Sequence, residues 1–132
     1  MFIEENAPVS NLSVLHARAE EAGRGEHRQI YDVSCARAVA PLSVVLEYLA
    51  PFVKVGGQVI AYKAEPDETE LAAGDFAAKQ LGLTKKKIIP FTLKGSQVIS
   101  RILAVYEKTA PTPAKYPRNQ ARQRPLGMDR IR

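Results

Sequence analysis

Apolar residues recur along the chain with two different periods, and their alternation predicts a mixed α/β sheet. Leu42, Val45, Leu46, Leu49, Phe52 and Val53 fall on one face of a helix. Pro41 suits the first turn of that helix, where its missing N–H costs nothing. Gly56-Gly57 is expected to end the helix, the first glycine as a left-handed cap. Gln29 to Cys35 before the helix, and Gln58 to Lys63 after it, read as buried strands. Asp67, with Glu70 three residues on, has the form of an N-cap and its acidic partner. The helix it opens is expected to run to about Leu81 and close on Gly82. Two strands follow, Lys86 to Leu93 and Val98 to Tyr106, joined by a turn at Lys94-Gly95-Ser96. Pro90 assigns the first of them to an edge or a bulge. Upstream, Asn11 to His16 alternates weakly, as a short strand would, and Gly23 to Arg28 is a polar connection. The order is strand, loop, strand, helix, strand, helix, strand, strand. It predicts a mostly parallel sheet with an antiparallel strand at one edge.

Beyond Thr109 the apolar period vanishes, and charge separates the two regions. Residues 108–132 hold seven Lys or Arg against one Asp, so the whole excess of the +5 net charge lies there. We therefore divide the chain into a sheet domain over 1–108 and a basic, Pro-rich arm over 109–132. Such an arm gains affinity for phosphate backbones through counterion release; its other reading is a solvated terminus. Lys115, Arg118, Arg122 and Arg124, with Tyr116 as a stacking platform, are the candidate RNA contacts of the arm. No apolar run reaches the ~20 residues of a membrane span. The acidic start Met1-Phe2-Ile3-Glu4-Glu5 lacks the basic opening of a secretory signal. Cytoplasm is the expected compartment. Cys35 is alone, and in a buried strand it reads as a small hydrophobe. His16 and His27 have no metal-ligand spacing, so no metal site is expected.

Arg37 is the residue that asks for a function. It follows an apolar strand and precedes a helix, and in open α/β sheets the carboxyl ends of strands are where ligands bind. Its structural alternative is an ion pair with a helix-borne acid. Three segments give it a context: Val14-Leu15-His16-Ala17-Arg18-Ala19-Glu20-Glu21, Cys35-Ala36-Arg37-Ala38-Val39-Ala40-Pro41-Leu42, and Pro111-Thr112-Pro113-Ala114-Lys115-Tyr116-Pro117-Arg118. In this order and spacing they resemble the bacterial 16S rRNA guanine-N7 methyltransferases, the glucose-inhibited division B family. The resemblance covers roughly residues 9–118. It implies a class I, Rossmann-like methyltransferase sheet and S-adenosyl-L-methionine as cofactor. It implies small-subunit 16S rRNA as partner and transfer of a methyl group to guanine N7. Within it, Ala19 and Glu20 match the pair lying against the adenine end of the cofactor. Arg37 matches an arginine facing cofactor and active site, and Lys63 matches a lysine near the RNA. Ala64 and Ala17 stand where the family usually has glycine.

N7 of guanine carries a free lone pair and no proton. Its methylation needs alignment and charge management rather than a general base. No catalytic residue is therefore assigned.

The family also has a first strand, a Gly-rich turn and a second strand ending in an acid, which hold the cofactor; none has a counterpart here. The class I sheet runs third, second, first, fourth, fifth, seventh, sixth. Residues 12–16 would be the third strand and 30–35 the fourth, with their expected neighbours missing. The expectation is thus a truncated domain, inactive alone, with an open strand edge that invites self-association. The competing readings are a non-enzymatic RNA-binding remnant of the same family and a nucleotide-binding α/β domain of another class.

Overall fold

The computed structural model describes residues 22–38, 40–95, 97–119 and 121–127. Its elements are β1 (Tyr31–Ala38), α1 (Leu42–Leu49), a 3-10 turn (Ala50–Phe52), β2 (Val53–Ala64), α2 (Glu68–Leu81), β3 (Leu83–Lys94) and β4 (Val98–Lys108). The strands form one sheet in the order β1-β2-β4-β3. Of the neighbouring strands only β1 and β2 pair in parallel; β4 is antiparallel to both β2 and β3. This is the fourth, fifth, seventh, sixth half of the class I order. It contains less parallel pairing than the pattern of elements suggested, because the second strand of the hairpin inserts between β2 and β3. Hydrophobicity explains that placement. β4 buries Ile102, Ala104, Val105 and Tyr106, whereas β3 is mostly exposed and carries Pro90, which cannot donate to a neighbour on a second side.

The second helix forms as its sequence dictates. The Asp67 side chain accepts a hydrogen bond from the Glu70 backbone N–H at 2.8 Å, and Gly82 ends the helix at φ 82°. The first helix is shorter than its apolar stripe. Pro51 has no N–H to continue the ladder, so the chain tightens into the 3-10 turn and enters β2 at Val53. Gly56 does adopt a positive φ, 96°, but inside β2 rather than as a helix cap. It lies where the β1–β2 register jumps from Tyr31↔Val53 to Val33↔Gln58. Gly57 sits so close to β1 that a Cβ there would fall 2.5 Å from the Asp32 carbonyl oxygen.

Both helices cover one face of the sheet. Leu42 and Leu46 of α1 and Ala77, Ala78 and Leu81 of α2 form one core with Val59, Ala61, Ile102, Ala104 and Tyr106 of the strands. The Tyr106 phenol is fully buried; burial, then the nearby Asp75 charge, pushes its pKa up. Lys108 is also fully buried, and its ammonium donates to the Ala50 and Val53 carbonyls at 2.8 and 2.7 Å. It thereby ties down the carbonyls at the exit of the 3-10 turn, adding to the bond that the Ala50 carbonyl accepts from the Val53 N–H.

β1 is not the buried strand its composition suggested. Among the described residues it pairs only with β2, and Val33 and Cys35 are exposed. Cys35 is therefore a surface thiol rather than a core hydrophobe. The strand expected over 11–16 lies outside the described residues. Among those residues, no helix is long and apolar enough to cross a membrane.

Candidate functional site at the carboxyl edge of the sheet

Residues 109–127 fold back onto the core. Thr112, Tyr116 and Ala121 are buried. The anchor is a guanidinium: Arg28 donates to the carbonyls of Gly23, Tyr116, Thr112 and Pro113 at 2.7–2.9 Å. Arg24 adds two bonds to the Pro117 carbonyl. A Pro-rich segment lacks the N–H groups for regular pairing, so its carbonyls take side-chain donors instead.

This docking decides what the basic residues can do. Arg118 spends its charge on Glu47, a fully buried carboxylate on α1. Its Nε and Nη2 reach the carboxylate at 2.9 Å and its backbone N–H at 2.7 Å. Lys63 is likewise buried; its Nζ lies 2.8 Å from the Glu70 carboxylate and donates to the Ala40 carbonyl at 2.9 Å. The same Glu70 oxygen accepts from the Leu42 N–H, so Glu70 caps α1, where Pro41 offers no side-chain acceptor. Lys63 and Arg118, expected as RNA contacts, are thus both engaged within the chain. Both balance helix-borne acids, the partner that had been considered for Arg37. Lys115 lies over the Tyr116 ring, 5.2 Å from its centroid, and Arg124 is exposed.

Arg37 stays open. In the β1–β2 register it faces Tyr62, and its guanidinium carbon lies 5.6 Å from that ring's centroid. It forms a wall shared by two adjoining clefts at the carboxyl edge. One, of about 310 Å³, is completed by Ala38, Tyr62, Lys63, Ala64 and Arg101. The other, of about 230 Å³, includes Ala40, Val45, Tyr48 and Arg122. Among the described residues, no carboxylate pairs with Arg37, Arg101 or Arg122. The folded arm therefore brings Arg122 to Arg37 across 85 positions of sequence. Ala19 and Glu20, the other cofactor-facing candidates, lie outside the described residues.

Sequence reasoning missed Arg28, Glu47 and Arg101. Glu47 did leave a signal, an acid within Leu42-Ser43-Val44-Val45-Leu46-Glu47-Tyr48-Leu49, where a buried carboxylate requires a partner.

Comparison with known proteins places this edge in a family. Residues 2–100 match the family model for rRNA small subunit methyltransferase G (GidB). The chain belongs to that family. It is 44% identical over 123 residues to the Ribosomal RNA small subunit methyltransferase G of Deinococcus radiodurans, covering 90% of this chain and 48% of that protein. The protein of that name from Carboxydothermus hydrogenoformans is 39% identical over 121 residues, covering 89% of this chain and 51% of the relative. The chain thus spans about half the length of the curated relatives it matches. Among solved structures it is similar to M. jannaschii TYW2 in complex with AdoMet, at TM-score 0.45 and 15% identity over 65% of this chain and 43% of that one, too slight a likeness to argue from.

Proposed function

We propose that the chain carries the substrate-facing half of a cytoplasmic, S-adenosyl-L-methionine-dependent methyltransferase acting on guanine N7 of small-subunit rRNA. One observation carries this reading: among the described residues no acid pairs with Arg37 at the carboxyl edge of the parallel strand pair, and Arg122 is delivered beside it. An arginine there, cation–π stacked and free of a carboxylate, is available to an anionic group of cofactor or RNA. Family membership supplies the chemistry. When bound, the cofactor supplies an electrophilic methyl group, and N7 attacks it without losing a proton. This chain's own part is to hold RNA phosphate and orient the base. Ala19 and Glu20 are assigned to the cofactor side, and Arg37 to the junction where cofactor and RNA meet. Arg122, Arg124 and Lys115 are assigned to the RNA side.

The test is methyl transfer from radiolabelled S-adenosylmethionine to 16S rRNA, mapped by cleavage at N7-methylguanine. The chain alone is expected to bind rRNA without transferring methyl. Transfer is expected when the cofactor-binding part of a full-length relative is supplied. Failure to bind rRNA in a salt-dependent manner refutes the reading.

The exposed β1 edge favours a second reading for the chain alone. Val33 and Cys35 are uncovered and β1 has one described neighbour, so the edge is free to pair with a second copy. Sedimentation that stays monomeric at high concentration refutes that pairing.

A further inference from the structure

Neither described helix packs on the second face of the sheet, and that face has a chemistry of its own near the carboxyl edge. Alternate residues of a strand share a face. Arg37 pairs with Tyr62, Tyr62 with Leu103, and Arg101 with Phe91. Arg37, Tyr62, Arg101 and Phe91 therefore project together, away from α1 and α2. The Tyr62 and Phe91 rings are 5.6 Å apart, centroid to centroid, tilted by 52°. Both are half-buried, and Ile89 and Leu93 beside them on β3 are exposed. Arg101 makes one hydrogen bond, to the neighbouring Ser100 carbonyl, and lines the same cleft as Arg37.

We propose that this face binds a single-stranded RNA segment, with Arg101 and Arg37 on its phosphates and a base stacked on the Tyr62–Phe91 pair. Charge complementarity selects the occupant. Four other cations on this sheet have acids of their own: Lys54 has Asp32, Lys63 has Glu70, Lys85 has Asp75 and Lys86 has Glu107, while the buried Lys108 is held by two carbonyls. Among the described residues, Arg37, Arg101 and Lys87, which shares their face through its pairing with Val105, are left without one. An apolar protein partner would desolvate two guanidiniums and give nothing back. A nucleic-acid strand offers a phosphate for each guanidinium and a π face for the rings. Two cations interleaved with two aromatics on an open sheet surface are the elements of sequence-tolerant strand binding. Arg101 is then a positioning residue, gripping the strand on the β4 side of Arg37. The inference rests on the RNA reading above and deepens it.

The experiment is fluorescence anisotropy of a short labelled single-stranded RNA titrated with the full chain over a range of salt. Arg101→Gln is expected to weaken binding severalfold at low salt. It should also reduce the slope of log affinity against log salt by about 0.7, one single-strand phosphate contact. Arg101→Lys should restore the slope, which a purely structural role would not require. Phe91→Leu should lower affinity on the order of tenfold and leave the slope unchanged. Lys85→Gln, which breaks a pair with α2, should change neither. An unchanged slope in Arg101→Gln overturns the proposal and leaves the face to a protein partner. Wild-type chain with no salt-dependent RNA binding overturns both this proposal and the reading it rests on. Retained binding that responds to Arg122→Gln but not to Arg101→Gln overturns this proposal alone.

Discussion

Arg118→Ala should strongly destabilise the fold rather than merely blunt affinity for RNA. Glu47 is fully buried, and its carboxylate receives the Arg118 backbone N–H and a two-pronged guanidinium, all within 2.7–3.2 Å. Truncating Arg118 leaves a carboxylate without its counter-charge in the core. The cost of breaking such a pair from one side is about 3–5 kcal/mol. That is a large share of a total stability of about 5–15 kcal/mol for a small domain. Glu47→Gln is the milder change, because the Arg118 side chain is 28% exposed and can turn its charge to water. About 1–2 kcal/mol is expected there, from the exchange of charged for neutral hydrogen bonds. The assay is urea unfolding followed by circular dichroism, for both single variants and the pair. The double variant should be less destabilised than the sum, since removing both charges removes the stranded one. Arg118→Ala costing under about 1 kcal/mol, with additive effects, would refute the burial argument. Arg118 would then return to the RNA interface.

Lys108 predicts a pH dependence. Burial, then the nearby Arg28 charge, lowers its pKa from 10.5 to about 8. Between those values the unfolded chain binds the proton and the folded chain does not, so stability rises with pH across that window. The full rise is about 3 kcal/mol. Above pH 10 the buried Tyr106 phenol works the other way, since the unfolded chain alone loses that proton. Chemical denaturation between about pH 8 and 10 should show the increase, and Lys108→Met should flatten it; a flat wild-type profile refutes the assignment. Asp67→Ala removes the acceptor for the Glu70 N–H and should cost about 1 kcal/mol in the same denaturation assay, with no loss from Asp67→Asn.

The local elements were legible because their causes are local. The Asp67 cap, the Gly82 closure, the Pro90 edge strand and the hairpin each depend on a few adjacent residues. Where a neighbouring residue opposed the pattern, the pattern failed: Pro51 ended a helix that its apolar stripe would have continued. Family membership was legible too, in motifs that need only the order of residues, and Arg37 was picked out by its position at the end of a strand.

Partners were not legible. Seven basic residues in 108–132 look alike in sequence, and only tertiary structure sorts them. Arg118 goes to a buried Glu47, Lys108 to two carbonyls, and Arg122 to the cleft of Arg37. Arg101 was invisible for the same reason, because its meaning lies in strand register: it stands beside Phe91 and shares a cleft with Arg37 only once β4 inserts between β2 and β3. The sequence by itself determined the element order, the Asp67 and Gly82 caps and the family, since periodicity and turn chemistry act over a few residues. Tertiary structure alone decided which charges are spent and which remain for a ligand. A charge is neutralised by what lies within a few ångströms in space, and chain separation carries no information about that.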